Sequence, residues 1–424
     1  MARVPAGLEF DRSVAVLVVK IGHYPLHQGG VAAIRTLGRV GVPVYAITES
    51  RFTPAAVSRY LRGRFVWPTD GSEDPRALVE GLLAIGRRID GRVIALATDD
   101  EAAVLLAEHA DALGDRFLVP DVPPTLPRAL SDKFALHQLC VAHGVPSPVS
   151  DRPTSVDGLL SAAQQIGYPV VLKNAEPWAR LRLPAVSSTT VVSSEESLRT
   201  LTATWRAMPQ VLVQEYLARG DGPVDWMADT YRDASGCGLT FTGVKVRSWP
   251  AGAGVATRAY AAANDEVEDL TNTFCRNLGY RGIADLDWRL DPVDGRYKLV
   301  DFNPRVGAQF RLFETEASVD VVRALHLDLT GRPIPTGEQV QGRGLRVENL
   351  DLPALWAHRA QRVPVPRGHT ELAWLAVDDP LPAATAVAFS AQAAVAMLGR
   401  GLRRRRKQPV DDGVGIAVEE LPID

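Results

Sequence analysis

The chain is poor in the residues that mark special environments. Of its 424 residues only three are cysteine and four methionine. Cys140, Cys237 and Cys275 are far apart, odd in number and form no CxxC pair, which argues against a disulfide framework and a zinc site. No stretch reaches the ~20 apolar residues that a membrane span needs. Met1 to Arg12 lacks the long apolar core of a signal peptide, so a cytoplasmic protein is expected. Neither charge sign dominates. The 47 Lys and Arg against 50 Asp and Glu leave a net charge of -3, and the chain as a whole carries no nucleic-acid signature. Apolar content of 46% and charged content of 23% are ordinary for a globular protein. The length suits two or three domains.

What is present begins with a βαβ pattern. Ser13 to Lys20 reads as a buried strand, Val31 to Val40 has helical spacing, and Val42 to Ile47 reads as a second strand. Between them lie Gly22, His23 and Gln28-Gly29-Gly30. A glycine-rich turn before a helix either holds a phosphate or is a plain tight turn or substrate loop. It is not GxGxxG, and Glu49 is a weak match to an acid on a ribose. Phe65 to Trp67, Val93 to Ala97 and Phe117 to Val119 read as further strands, with a helix from Pro75 to Ile89. Thr98-Asp99-Asp100-Glu101 stands at a strand's carboxyl end, where open α/β sheets place ligands. It either caps a helix or meets a substrate ammonium. Pro120 to Pro127, with four prolines, reads as a linker.

Ser131-Asp132-Lys133 then opens a helix, with Ser131 or Asp132 as its cap. Lys133 falls in the first turn, where the helix dipole disfavours a cation. It is either solvated or aimed at a phosphate. Val156 to Ile166 reads as a helix, and Val170 to Lys173 as a buried strand ending in an ammonium. Glu176 to Val186, with Arg180 and Arg182, reads as a lid. Gln210 to Leu217 is a strand, and Val224 to Tyr231 and Gly238 to Val246 are antiparallel neighbours. Lys245 and Arg247 are expected on one face.

The most informative segment follows. Ile283 to Leu290 reads as a strand with Asp285, Asp287 and Arg289 on one face. Asp294-Gly295 is a strong hairpin signal that returns the chain as Tyr297 to Asn303. There Leu299, Asp301 and Asn303 are expected on one face, and Lys298, Val300 and Phe302 on the other. Asp301 and Asn303 are then about 7 Å apart. The hairpin sets Asp287 beside them. Buried like charges repel unless a divalent cation lies between them; the alternative is an exposed polar face. Pro304 ends the pairing, and Arg305 stands just beyond. Hard oxygen ligands beside a fixed cation suit a Mg²⁺–phosphate site. Further on, a strand is expected near Leu372 to Val377 and an apolar helix over Ala383 to Leu398. The basic run Arg403 to Lys407 reads as a solvated helix end, a membrane-surface anchor or a nucleic-acid contact.

Five ordered motifs resemble the ATP-grasp superfamily, of the carboxylate–amine ligase type. They are Ser131-Asp132-Lys133, Gly167 to Lys173, Gln214-Glu215-Tyr216-Leu217, Asp287, and Asp301-Phe302-Asn303-Pro304-Arg305. The resemblance covers Ser13 to Arg332. It implies a mixed α/β and α+β fold: an opening open α/β domain over 1–125, clasp subdomains over 126–208 and 209–332, and an extension over 333–424. It implies ATP and Mg²⁺ as cofactors, with two ions and Mn²⁺ as a substitute. Lys133 and Lys173 match the lysines on the ATP phosphates. Gln214, Glu215, Tyr216 and Leu217 match the adenine hinge, and Asp221 the acid on the ribose. Asp287, Asp301 and Asn303 match the metal ligands; the family more often has Glu at the first two. Arg305 matches the arginine on the transferred phosphoryl group, and Lys245, Arg247 and Arg258 further phosphate or substrate contacts. The implied reaction joins a small-molecule carboxylate, activated as an acyl phosphate, to an amine, with release of ADP and phosphate. His23, Gln28 to Gly30 and Thr98 to Glu101 are expected near substrate. A biotin-type carboxylase and a non-catalytic nucleotide-binding protein are the alternatives. Nucleic acid is not an expected partner, and a homodimer is open.

Overall fold

The computed structural model describes residues 8–175, 186, 189–218, 224–250, 254–357, 365–366 and 368–392. Arg180, Arg182, Asp221 and the basic run Arg403 to Lys407 lie outside the described residues.

The chain opens with β1 (Ala15–Val19), α1 (Gln28–Gly38), β2 (Val44–Thr48), β3 (Leu61–Val66), α2 (Pro75–Gly86), β4 (Val93–Ala97), α3 (Asp100–Glu108), α4 (Ala110–Leu113) and β5 (Phe117–Leu118). The strands form a parallel sheet in the order β3-β2-β1-β4-β5. Every residue of β1 is buried, as a strand covered on both faces requires. The glycine-rich turn is not a loop. Gln28 to Gly30 form the first turn of α1, capped by His27 Nδ1, which accepts from Gly30 N at 3.0 Å. Glu49 is paired with Lys20 and so is neutralised within the sheet. The Pro120 to Pro127 linker is shorter than expected, because α5 (Leu126–Ser131) starts inside it, with Pro127 in a first turn that tolerates proline. Ser131 ends α5, and Asp132 caps α6 (Lys133–Ala142) through Phe134 N and Ala135 N.

A second unit contains β6 (Ser150–Asp151), α7 (Val156–Ile166), β7 (Val170–Asn174), β8 (Thr190–Val192), α8 (Glu195–Thr202) and β9 (Val211–Glu215). Its antiparallel sheet has the order β6-β9-β7-β8. Val170, Leu172, Val211 and Val213 pack under the two helices. Strand alternation therefore sends Lys173 and Gln214 to the opposite face, away from those helices.

The third sheet takes β10 (Asp225–Arg232), β11 (Gly238–Trp249), β12 (Val255–Ala261), β13 (Gly282–Leu290), β14 (Tyr297–Asn303), β15 (Gly344–Arg346) and β16 (Thr370–Leu372). Helices α9 (Asp265–Asn277), α10 (Val321–Leu329) and α11 (Glu348–Ala357) accompany it. The order is β14-β13-β10-β11-β12-β15-β16. Thus β15 and β16 carry the sheet past residue 332, and the expected strand near Leu372 ends at that residue. One face buries Leu286, Trp288 and Phe302 among α5, α6 and α9. On the other face Met227, Tyr231 and Phe241 share a core with α1, α10 and the first sheet. That shared core fixes the first sheet's strand ends beside β13 and β14.

Candidate active site

The β13–β14 hairpin supplies the acids. Its register sets Asp287 opposite Asp301 and Asp285 opposite Asn303. Gly295, with φ of 70°, makes the turn: its N–H donates to Asp291 O at 2.8 Å. One expectation fails here. The pairing shifts register between Asp287 and Trp288, so β14 is bulged at Val300. An extra residue inverts the alternation on one side of it. Leu299 therefore joins Phe302 in the core instead of sharing the face of Asp301. Lys298, expected on the opposite face, comes to the site side, where its Nζ donates to Glu215 Oε1 at 2.9 Å and Asp291 Oδ2 at 2.6 Å.

Cations reach these acids from separate elements. Lys133, at the start of α6, pairs with Asp301. Lys245, on β11, pairs with Asp287. Lys173, on β7, stands in the field of Lys133, Asp301, Arg289 and Asp287. Burial, reinforced by Lys133, pulls its pKa down to about 8. Burial opposes the charge of Asp301, but Lys133, Lys173 and Arg305 overcome it and hold this carboxyl below its ordinary value. Asn303 Nδ2 donates to Asp285 O at 3.2 Å.

Arg305 links the first sheet's α3 to β13. Its Nε lies 3.2 Å from Asp100 Oδ1 at the start of α3, and its Nη1 donates to Asp285 Oδ2 at 3.2 Å and Val306 O at 3.0 Å. Burial works against its charge, but Asp100, Asp285 and Asp301 together raise its pKa. The acidic run thus divides its work. Asp99 caps α3 through Ala102 N and also accepts from Ile21 N and Gly22 N at 2.9 and 2.7 Å. Burial and neighbouring Glu101 push Asp99 up to about 7. Asp100 faces Arg305, and Glu101 accepts from Tyr24 Oη at 3.1 Å. His23 is exposed.

The segment Gln214 to Leu217 meets the same hairpin through Glu215 and Lys298. Gln214 Nε2 donates to Ser150 Oγ at 2.9 Å, Glu215 is held by Lys298, Tyr216 is exposed and Leu217 is buried. Arg247 does not join Lys245. Bulges on both sides of it turn its guanidinium onto Asp351 of α11, with Nε at 2.9 Å and Nη2 at 2.8 Å from Oδ1. Arg258 pairs in register with Arg247 and Arg346 and makes no ion pair among the described residues. Sequence reasoning missed Lys298, because nothing in Tyr297 to Asn303 announces the bulge. It also missed Asp229, although a carboxylate among Trp226, Met227 and Ala228 was a readable anomaly.

The donor set suits a hard cation. Two carboxylates and an amide oxygen are the ligands Mg²⁺ prefers, and two lysine ammoniums already sit against the carboxylates. Among the described residues no three His, Cys, Asp or Glu side chains converge as a protein-only metal cage. Mg²⁺ commonly completes its shell with water and phosphate oxygens.

No family model matches the chain. It is 21% identical over 228 residues to a D-aspartate ligase of Enterococcus faecium, covering 51% of this chain and 54% of that protein. It is 25% identical over 234 residues to a biotin carboxylase of Pseudomonas aeruginosa, covering 52% of this chain and 49% of that protein. The chain spans about half the length of the curated relatives it matches. Among solved structures it is similar to an N5-carboxyaminoimidazole synthetase of Staphylococcus aureus complexed with ADP. There the TM-score is 0.57 at 13% identity, over 77% of this chain and 79% of that one. The parallel sheet, the four-stranded antiparallel sheet and the seven-stranded sheet, antiparallel but for its β15–β16 edge, make up the ATP-grasp fold that the ordered motifs of the sequence resemble.

Proposed function

We propose that the protein is an ATP-dependent carboxylate–amine ligase that forms ADP. The observation that carries this reading is the convergence of Lys133 and Lys245 on the opposed pair Asp301 and Asp287, with Lys173 reaching the same point from another sheet. A substrate carboxylate oxygen attacks the γ-phosphorus of ATP, and ADP leaves. The amine nitrogen then attacks the acyl carbon, phosphate leaves with the C–O electron pair, and the amine gives up a proton.

In this reading the sheet of β6 to β9 and the sheet of β10 to β16 clasp the nucleotide. Gln214 to Leu217 hold adenine, and Lys298 fixes the Glu215 side chain beside it. Asp221 takes the ribose. Lys133 and Lys173 hold phosphate oxygens, and their charge is moved off the acids and onto the nucleotide when it binds. Asp287, Asp301 and Asn303 hold Mg²⁺, which when bound neutralises phosphate charge and orients the phosphoryl group. Arg305 and Lys245 place positive charge where the transferred group becomes most negative, and Arg258 is assigned a further phosphate or substrate contact by the resemblance alone. Such preorganised charge is the main device of phosphoryl transfer. The similarity to a D-aspartate ligase supports an amino acid or a related amine as acceptor. We place the reaction in the cytoplasm, where ATP is supplied.

A carboxylase reading is favoured by one observation, the similarity to a biotin carboxylase. One assay separates the two. The protein is incubated with Mg²⁺, ATP and pools of carboxylates and amines, and ADP and phosphate are measured. ADP that depends on both pools supports the ligase. ADP that depends on bicarbonate alone supports the carboxylase, and AMP with pyrophosphate contradicts both.

A further inference from the structure

The C-terminal part of the chain carries apolar surface that the ligase reading does not use. Helix α11 is apolar on its outer side. Its inner side buries Asp351 and Ala354, and Asp351 holds Arg247 of β11 at 2.8 Å. The outer side presents Leu352, Leu355 and Trp356 at the spacing of one helical stripe, and these are 65%, 47% and 73% exposed. The apolar helix expected over Ala383 to Leu398 starts earlier and is described over residues 381–392. It repeats the pattern. Pro382 and Ala386 are buried, while Leu381, Ala384, Ala388 and Ala391 form an exposed stripe with Val387, 68% exposed, beside it. Apolar faces of this kind mark a surface that meets a partner.

The two helices are joined to each other and to the body of the protein. Asn349 Nδ2 donates to Ser390 Oγ at 3.1 Å, and Trp374 Nε1 donates to Asn349 Oδ1 at 2.8 Å. Trp374 and Ala386 share a core with Val347 and with Val31 of α1. The second helix is therefore held against the protein by its inner side, an arrangement that suits lying on a surface and not crossing a bilayer. Among the described residues no helix is long and apolar enough to cross one.

Charge indicates what the partner is. Leu352 to Ala357 and Leu381 to Gly399 contain no charged residue. Directly after Gly399, Arg400, Arg403 to Arg406 and Lys407 put six cations into eight residues, in a chain whose net charge is -3. The acids of Asp411 to Asp424 follow only after Gln408-Pro409-Val410. An apolar helical face continued by a polybasic run matches a bilayer with anionic headgroups, where acyl chains take up the apolar side chains and phosphates attract the cations. A second copy of the chain fits less well, since a two-fold dimer through this face would gather two such basic runs at one interface.

We propose that the outer faces of α11 and of residues 381–392, with the basic run that follows in sequence, dock the protein on an anionic membrane surface. The contact is peripheral and reversible, and Trp356 enters the boundary between headgroups and acyl chains. Docking of this kind does not depend on the reaction in the cleft.

The test sediments the full chain with vesicles of phosphatidylcholine alone and of phosphatidylcholine mixed equally with phosphatidylglycerol. The protein should bind the mixed vesicles and not the neutral ones, and raised salt should release it. Arg403→Gln, Arg404→Gln, Arg405→Gln and Arg406→Gln together should weaken binding about 100-fold or more. Leu352→Ser, Trp356→Ser and Val387→Ser together remove only exposed side chains, so melting should match the parent while binding falls about tenfold or more. Lipids brominated on the acyl chain should quench tryptophan fluorescence in the parent, and Trp356→Phe should lose most of that quenching while it still binds. No binding to the mixed vesicles overturns the docking surface. So does a triple-serine variant that binds as tightly as the parent, or quenching that survives in Trp356→Phe, because either leaves the basic run acting alone. A parent dimer that dissociates in the triple-serine variant overturns it as well, and makes the face an interface between copies.

Discussion

The chain buries charged clusters around Arg311 and around Asp301, and the two are built differently. Arg311 donates to Asp320 Oδ2 at 2.6 Å, Glu314 Oε2 at 3.4 Å and Glu371 Oε2 at 3.3 Å. Arg343 binds Glu314 and Glu371 in turn, and Asp320 also caps α10 through Val322 N and Arg323 N. Planar guanidinium forks bind several carboxylates at once, and each acid is held from more than one side. The cavity beside this cluster holds only about 10 Å³. Such a network stitches β15 and β16 to the loop before α10. Around Asp301 the cations are mainly lysines that arrive from α6, β7 and β11; Lys133 and Lys245 each pair with one acid, and Lys173 stands in the field of both. Single contacts on flexible stems are easily exchanged for a ligand's oxygens. Asp229 and Asp285 remain close enough to repel. The first cluster is closed by its own partners; the second we read as one that a ligand completes.

That contrast can be broken by mutation. The largest effect is expected at the open cluster. Asp301→Ala or Arg305→Ala should cut ATP turnover by about 100- to 1000-fold or more, while the melting temperature changes by only a few degrees. A folded variant that keeps full turnover would remove these residues from the site. At the closed cluster the outcome should be reversed. Arg311→Met leaves Asp320, Glu314 and Glu371 short of a cation, so urea unfolding should show a loss of about 3 to 5 kcal/mol. The fraction that remains folded should turn over ATP at close to the parent rate per molecule.

A smaller effect concerns pH. In the free protein Lys173 is charged below about 8 and neutral above it. Nucleotide phosphates favour the charged form, so above that pH binding must take up a proton. KM for ATP should therefore rise with pH beyond 8, by at most about tenfold per unit. Lys173→Arg, whose guanidinium stays charged, should flatten this rise. A parent profile with no inflection near that pH would show that Lys173 does not face phosphate. The smallest effect is expected at Lys298→Met. Releasing Glu215 should cost about 1 kcal/mol in ATP affinity, seen as a several-fold higher KM for ATP with little change in kcat.

Legibility in the sequence followed local rules. The Asp294-Gly295 turn was readable because glycine at positive φ leaves a strong signature, and that turn placed Asp287 opposite Asp301. The parallel strands were readable as continuous apolar runs. The bulge at Val300 was not, since a bulge is decided by how two strands settle against a core, here Leu299 and Phe302 against α5, α6 and α9. It reassigned Lys298 from the core side to the site. Gln28 to Gly30 look like a loop in isolation, but His27 caps them into α1 and Gly307 closes over Gly29. The partner of Arg247 was equally hidden, because Asp351 lies 104 residues away and only the bulges on β11 turn the arginine toward it. Long-range pairs of this kind have no local signature.

The central claim is that a substrate carboxylate is phosphorylated in the cleft where Lys133, Lys173, Lys245 and Arg305 converge. Transfer of ¹⁸O tests it most directly. With the carboxylate substrate labelled in both oxygens, the phosphate released in each turnover should carry one ¹⁸O, because the oxygen that attacks the γ-phosphorus departs with it. Unlabelled phosphate formed alongside amide would contradict the account.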